Sequence, residues 1–177
     1  MSGIITDNIG RSSGLVKAAG GGGKIGQVVS VTKDDTASGA LGTSAHVWHD
    51  TGLTVDITPA ATSSEIWLSA SLTIGCSIAG DNILLRFVRD STAIGLGAAA
   101  GDRTPTSIAI TGKQERCRSV AMIFQDNPAS TSTLTYKIEF GGHNNGGTIY
   151  LNRSNDDLDY WYRPRAASNL TAMEVLA

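Results

Sequence analysis

The chain divides near residue 24 into two parts with different residue patterns. Residues 1–24 hold few side chains that could build a core, and they end in four consecutive glycines and a lysine. Residues 25–177 instead show short runs in which apolar and polar side chains alternate, the pattern of β-strands with one buried face. We therefore predict an N-terminal anchoring arm with a glycine-rich linker over 1–24 and an all-β head over 25–177.

The alternation is clearest in residues 65–74, where apolar side chains occupy every second position, as in a half-buried antiparallel strand. Further strands are predicted over residues 25–31, 47–57, 82–89, 107–111, 117–125, 132–140, 148–152 and 170–176. Turn residues separate these runs, and the stretch from Gly141 to Gly147 is predicted to be a long hairpin tip. Residues 173–177 end the chain without a polar tail, which indicates a strand held inside a sheet or subunit interface. The spacing predicts an antiparallel β-sandwich that is jelly-roll-like.

Composition and charge exclude several classes of partner. The formal net charge is −2, which provides no basic surface for nucleic acid. No apolar run approaches the roughly 20 residues that span a bilayer. Residues 1–7 lack the basic and apolar regions of a signal peptide, so we expect synthesis in a cytoplasm. No nucleic-acid or membrane partner is expected.

The candidate catalytic and ligand-binding motifs are incomplete. Residues 18–25 resemble a phosphate loop but lack its first glycine and the Ser or Thr after the lysine. Residues 95–100 loosely match the glycine pattern of a dinucleotide-binding site. Gly101 and Pro105 follow, so no helix can form there to bind the phosphates, and a turn is predicted. The acidic stretch 155–159 lacks the glycine and the closing glutamate of a calcium loop, which favours a solvated turn and leaves a weak cation site open.

The histidines and cysteines do not form a recognisable site either. His46 and His49 would point to opposite faces of a strand, and no third metal ligand accompanies them. Cys76 continues the inward face of a predicted strand, so a buried free thiol is favoured, with a disulfide to Cys117 as the alternative. We predict a protein that is not an enzyme, with no cofactor and no metal.

Two regions are candidates for binding. Tyr160, Trp161 and Tyr162 are consecutive, so they cannot all face one side of a strand. Tyr, Trp and Arg dominate interface hot spots, and aromatic faces also stack on sugars. With His143, Asn144 and Asn145 of the predicted hairpin tip, they are the receptor or interface candidates. The alternative is that Tyr160 and Tyr162 pack in the core while Trp161 covers a sheet edge.

The second region is the arm. It could not bury enough surface to order by itself, so we expect it to fold on docking to a partner. The alternative is a tail packed on its own head. The particle-anchoring candidates are its apolar and basic side chains, Ile4, Ile5, Ile9, Arg11, Leu15, Val16 and Lys17.

Several stretches resemble small virion structural proteins of tailed bacteriophages, especially those of marine and cyanobacterial phages. The opening residues 1–18 (MSGIITDNIGRSSGLVKA) resemble the start of these proteins. Three stretches of the head are similar to short segments of the family's sequences, namely residues 65–70 (EIWLSA), 84–95 (LLRFVRDSTAIG) and 148–154 (TIYLNRS). The closing residues 167–177 (ASNLTAMEVLA) match its usual end.

This resemblance implies a non-enzymatic protein of the virion surface, made in the bacterial host cytoplasm, with a jelly-roll-like head. Such proteins are commonly trimeric, so a homotrimer is expected. The arm would attach it to another virion protein, either the major capsid protein or a tail or baseplate component. Capsid decoration or cementing is favoured because the arm is short. The alternatives are a tail fibre that binds a host glycan and a cellular glycan-binding module.

Overall fold

The computed structural model describes residues 24–43, 45–143 and 146–176, and over these ranges the chain forms eleven β-strands and no helix. The strands are β1 (Lys24–Lys33), β2 (Ala37–Ala40), β3 (Val47–Ile57), β4 (Glu65–Cys76), β5 (Asn82–Arg89), β6 (Thr92–Ile94), β7 (Ile108–Thr111), β8 (Cys117–Asp126), β9 (Leu134–Gly142), β10 (Thr148–Leu151) and β11 (Ser168–Leu176). The predicted all-β architecture is confirmed.

Nine of these strands correspond to the nine runs predicted from alternation, and their ends agree within two residues. The first begins at Lys24, one residue inside the predicted linker. Sequence reasoning missed β2 and β6, because neither is long enough to show a period of two.

The strands form two antiparallel sheets. Each sheet has four rows, where a row is either one strand or two strands that lie end to end. In sheet I, the rows are β1 with β2, then β11 with β10, then β4, then β8. In sheet II, the rows are β3, β9, β5, and finally β6 with β7. Two strands share a row where both pair, one after the other, with the same neighbouring row.

Counting each row as one strand gives the eight strands of a jelly roll. In chain order, sheet I then contains the first, eighth, third and sixth rows, and sheet II the second, seventh, fourth and fifth. Most connections cross from one sheet to the other, which is the Greek-key winding of a jelly roll. The last row lies between the first and third, so the predicted placement of the C-terminal strand inside a sheet is confirmed for residues 173–176.

The inner faces of the two sheets enclose one apolar core. The predicted inward face of β4 is buried from Ile66 to Ile74, and it packs opposite Phe87, Tyr136 and Phe140 of sheet II. Cys76 continues this face and is a buried free thiol, as predicted. Cys117 is also free, and its partner in the ladder is Gly75.

A buried polar cluster joins the sheets at one end of the core. Asp126, the last residue of β8, accepts two hydrogen bonds of 2.8 and 2.9 Å from the Arg89 guanidinium. It also accepts a 2.6 Å hydrogen bond from the hydroxyl of Tyr136, which is fully buried. A buried carboxylate is tolerated because a cation and a hydroxyl satisfy it.

The prediction of a hairpin tip at Gly141–Gly147 is wrong. β9 belongs to sheet II and β10 to sheet I, so this segment crosses between the sheets and does not join neighbouring strands. A glycine is required at position 141 because the β-carbon of any other residue would lie 2.4 Å from the Val47 carbonyl oxygen. The glycines that suggested a turn therefore reflect, at least at this position, close backbone approach.

Candidate functional site

The candidate site is the loop formed by residues 153–167, hereafter the aromatic loop, which interrupts the last row of sheet I. β10 pairs with the end of β4 at residues 74–76, and β11 pairs with its beginning at residues 65–71. The chain thus leaves the row after β10 and re-enters it at β11 beside the same neighbour. The Ala166 amide donates a 3.0 Å hydrogen bond to the Asn152 carbonyl, so the two ends of the loop meet.

Asn152 holds the base of the aromatic loop. It is fully buried and has a φ of 62°, a left-handed conformation that asparagine tolerates better than most residues. Its side-chain nitrogen donates to the carbonyls of Lys33 and Asp35 at 2.8 and 2.9 Å. Its side-chain oxygen accepts a 2.6 Å hydrogen bond from the Ser168 hydroxyl. The loop therefore starts from a fixed point in the sheet.

Two ion pairs form within the loop, one largely buried and one on the surface. Arg163, whose side chain is only 9% exposed, contacts Asp156 at 2.6 Å and donates a 2.6 Å hydrogen bond to the Glu115 carbonyl. Arg165 contacts Asp157 at 2.5 Å on the surface. Arginine groups thus neutralise two carboxylates of the acidic stretch 155–159, and the geometry there is that of an ion-paired turn.

The three aromatic residues form an exposed cluster at the tip of the loop. The rings of Tyr160 and Tyr162 stack with their planes 6° apart and their centroids 5.4 Å apart. The Trp161 indole stands edge-on to Tyr162, and 96% of its surface is exposed. Tyr160 and Tyr162 are 51% and 44% exposed, so the alternative that they pack in the core is wrong.

A shallow hollow of about 170 Å³ lies beside this cluster. Its lining combines one tyrosine and two apolar residues with charged and polar side chains. The full lining is Ser154, Asp157, Leu158, Asp159, Tyr160, Arg163, Pro164 and Arg165. Carboxylates and guanidinium groups next to an aromatic face provide both hydrogen-bond acceptors and donors around a stacking surface. This arrangement can bind a polar ligand that has an apolar face.

The other predicted binding residues lie elsewhere. His143 follows β9 and forms a bridge with Gly42, and its ring centroid is 5.8 Å from that of His46. This segment precedes β10 whereas the aromatic loop follows it, so the two lie at opposite ends of that short strand. Asn144 and Asn145 fall outside the described residues, as do all the particle-anchoring candidates from Ile4 to Lys17.

The remaining histidines have ordinary structural partners. His46 shares a 3.0 Å hydrogen bond with the Thr104 hydroxyl, and His49 contacts the Ala40 carbonyl at 2.7 Å. Within the described ranges, no group of three His, Cys, Asp or Glu side chains could hold a metal ion. Burial raises the pKa of the Cys76 thiol above its ordinary value, which lowers the fraction present as the reactive thiolate.

Among the residues that the structure covers, no helix has the length and apolar character needed to cross a membrane.

Sequence reasoning missed the residues that hold the base of the aromatic loop. The sequence pattern places Asn152 at the end of a strand and gives Ser168 no role. One signal was present, because aspartates precede the aromatics and arginines follow them over residues 156–165. The contacts of Asn152 with residues 33 and 35 left no signal, since they join positions far apart in the chain.

Comparison with known proteins gives fold-level likenesses. No protein-family model matches the chain, and no curated protein matches its sequence at a significant level. Among solved structures it is similar to a chain of infectious bursal disease virus, Gx strain, with 13% identity and a TM-score of 0.45 over 85% of this chain and 37% of that one. A chain of the T13 particle of the same virus gives 11% identity and a TM-score of 0.47 over 85% and 36%. This chain therefore spans little more than a third of the length of the viral chains that it resembles.

Proposed function

We propose that this protein is a structural component of a phage virion, which decorates or cements the capsid surface as an oligomer attached by its N-terminal arm. The observation that carries the proposal is the form of the candidate site. The aromatic loop is an exposed surface on a jelly roll, its two ends are held by hydrogen bonds, and such a surface is suited to binding. The jelly roll is an architecture of viral capsid and lectin domains, and the short stretches that resemble phage virion proteins are scattered over most of the chain.

The proposed assembly follows from symmetry. A small protein repeated over a particle needs a closed interface between its copies, and a homotrimer is the arrangement we propose. The arm would contact the major capsid protein, so that each trimer bridges neighbouring capsomers. The jelly roll would then present the aromatic loop away from the shell.

The test is to label the protein on intact particles and count its copies. Decoration predicts dense, even labelling of the head, with hundreds of copies, and shells that rupture more readily without the protein. Labelling confined to the tail, with few copies, would contradict decoration. Absence from particles would contradict the virion proposal as a whole and favour a cellular glycan-binding module.

A second function, binding of a host-surface glycan by a fibre, is favoured by the aromatic cluster. Trp161 is almost fully exposed, and the tyrosines on either side of it in the chain, Tyr160 and Tyr162, stack on each other. An exposed indole stacks on the apolar face of a sugar ring, while the charged lining of the hollow can bond to hydroxyls. Many weakly binding copies on one particle would give avidity.

The glycan proposal is tested with Trp161→Ala, which removes the most exposed aromatic side chain of the loop. Binding to immobilised host glycans, and adsorption of particles to cells, should fall at least about fivefold, the loss expected when a contact worth about 1 kcal/mol or more is removed. Trp48→Ala is the matched control, because Trp48 is a half-buried indole on β3 of the other sheet. Equal binding by Trp161→Ala and the parent protein would contradict the proposal.

A further inference from the structure

The outer faces of the two sheets differ in chemistry. On sheet II the outer face carries a network of charges in which Glu139 contacts Arg86 at 2.7 Å and Lys137 at 3.1 Å. The Arg86 guanidinium also lies over the Trp48 ring, 4.0 Å from its centroid. Charged side chains of this kind are typical of a surface in contact with solvent. The outer face of sheet I has an apolar region where β1, β11, β4 and β8 run side by side.

We call this region the sheet I patch, and the ladder registers define it. Val28 is paired with Met173, and Met173 with Trp67, so these three side chains form a row across three strands. Ile25 and Val175 form the adjoining row. Ile123 of β8 is the diagonal neighbour of Trp67, because the residues of β8 paired with Trp67 and Ser69 are Gln125 and Ile123. The complete patch consists of Ile25, Val28, Trp67, Ile123, Met173 and Val175.

Three side chains of the patch are largely exposed to solvent. Ile25, Val28 and Ile123 are 63%, 55% and 64% exposed, and they stand on the two edge rows of the sheet. Ile123 also lines a hollow of about 240 Å³ that opens between β8 and the β6–β7 row of sheet II. Contiguous apolar surface of this kind marks a contact site.

We propose that residues 1–23 of the same chain cover the sheet I patch. The chain enters the described structure at Lys24, and the next residue, Ile25, belongs to the patch. The segment that precedes it is therefore attached at the border of the surface it would cover. Its apolar side chains are Ile4, Ile5, Ile9, Leu15 and Val16.

The length of the connection matches the width of the patch. The eight residues between Val16 and Ile25 include four glycines, and a linker of that composition has a root-mean-square span of about 14–17 Å. Crossing from the β1 row to the β8 row is three strand spacings, roughly 14 Å. Leu15 and Val16 can thus reach any part of the patch.

The tether also favours this segment over a second copy of the protein. When the span and the linker length agree, the effective concentration of the attached segment reaches the millimolar range. Another molecule at micromolar concentration would have to bind far more tightly to displace it. The arm residues expected to anchor the protein to a particle are the same ones, so coverage of the patch and attachment to a particle compete for one segment.

The test uses trypsin, because the segment contains two cleavage sites, Arg11 and Lys17. Cleavage of the full chain at these sites is followed by mass spectrometry, beside a synthetic peptide of residues 1–20 at the same concentration. Coverage predicts cleavage of the parent protein that is slower by about tenfold or more, because cleavage follows the fraction of undocked segment.

Two variants and one control locate the contact. Val28→Asp and Ile123→Asp place a charge in the patch at exposed positions, and each should raise the cleavage rate to that of the peptide. Thr54→Asp places the same charge on an exposed position of β3, and cleavage should stay slow. A urea denaturation curve of each variant verifies that the head is folded.

Three results would overturn the proposal. The parent protein could be cleaved as fast as the peptide, or the two patch variants could be cleaved as slowly as the parent. Protection could also disappear on dilution from about 100 µM to about 1 µM, below the effective concentration of a tether, which would show that a second copy covers the patch.

Discussion

The Ser168 hydroxyl donates a 2.6 Å hydrogen bond to the side-chain oxygen of Asn152, across the gap where the aromatic loop interrupts the last row of sheet I. The same hydroxyl accepts a 3.1 Å hydrogen bond from the Thr73 amide of β4. Strand β4 thus fixes both ends of the loop. The loop that carries the exposed aromatics is therefore anchored to a central strand of sheet I, although the aromatic rings themselves lie outside the sheet.

Asn152→Ala should therefore destabilise the protein. The substitution leaves the carbonyls of Lys33 and Asp35 without their donor, and it forces alanine into a left-handed conformation. We expect the free energy of unfolding to fall by about 2–4 kcal/mol, measured by urea denaturation. Asn152→Gly keeps the backbone conformation and separates the two causes. A change below about 0.5 kcal/mol in Asn152→Ala would show that the base is not structurally important.

The strands were predictable from sequence, whereas the base of the aromatic loop was not. Residues 65–74 carry their own period of two, and burial of one face of β4 follows directly from it. Asn152 contacts carbonyls 117 and 119 positions earlier in the chain, and these contacts exist only once the first and last rows are adjacent. Local patterns cannot encode that adjacency.

The error at Gly141–Gly147 has a related cause. A glycine run between two strands has the same appearance whether it turns within a sheet or crosses between sheets. The choice depends on which rows pair, and in a jelly roll that is decided by long-range contacts. The exposure of Tyr160, Trp161 and Tyr162 was predictable only in part, since three consecutive aromatics require at least one to leave a strand face.

Removing the buried carboxylate of Asp126 should cost more than removing an exposed one. Asp126→Ala leaves the Arg89 guanidinium and the Tyr136 hydroxyl without their shared partner. We expect a loss of about 3–5 kcal/mol in the free energy of unfolding. Asp157→Ala breaks the exposed pair with Arg165 and should cost less than about 1 kcal/mol. Similar losses in the two variants would contradict the structural role of the buried cluster.

Alkaline pH should destabilise the protein through Tyr136. Burial, followed by the hydrogen bond to Asp126, raises the pKa of Tyr136 far above its ordinary value. Above about pH 10 an unfolded tyrosine loses its proton while the folded one keeps it, so the unfolded state binds fewer protons and stability falls as pH rises. The stabilising contribution is fully present below that pH.

The measurement is the urea midpoint between pH 8 and pH 11 for the parent protein and Tyr136→Phe. The parent should lose stability more steeply above about pH 10, by up to about 1.4 kcal/mol per pH unit from this one group. Tyr162→Phe, an exposed site, should follow the parent. Parallel curves for the parent and Tyr136→Phe would contradict the assignment.

Acid pH should act through Glu174, a buried carboxylate of β11. Burial favours its neutral form, but the 2.6 Å hydrogen bond from the Ala60 amide and the 3.0 Å bond from the Gln27 side chain hold the pKa of Glu174 below its ordinary value. A lowered folded pKa means that stability is present above the unfolded pKa, about 4.3, and is lost as pH falls through the folded value.

Glu174→Gln removes this titration while it keeps the shape of the side chain. Between about pH 5 and pH 2.5, the free energy of unfolding should fall more in the parent than in Glu174→Gln, because only the parent has this carboxylate to protonate. Asp102→Asn, at an exposed position, is the matched control and should follow the parent. Since Glu174 ties β1 to the residues before β4, its protonation would loosen the edge of sheet I that borders Ile25. A larger acid loss in Glu174→Gln than in the parent would contradict the sign of this effect.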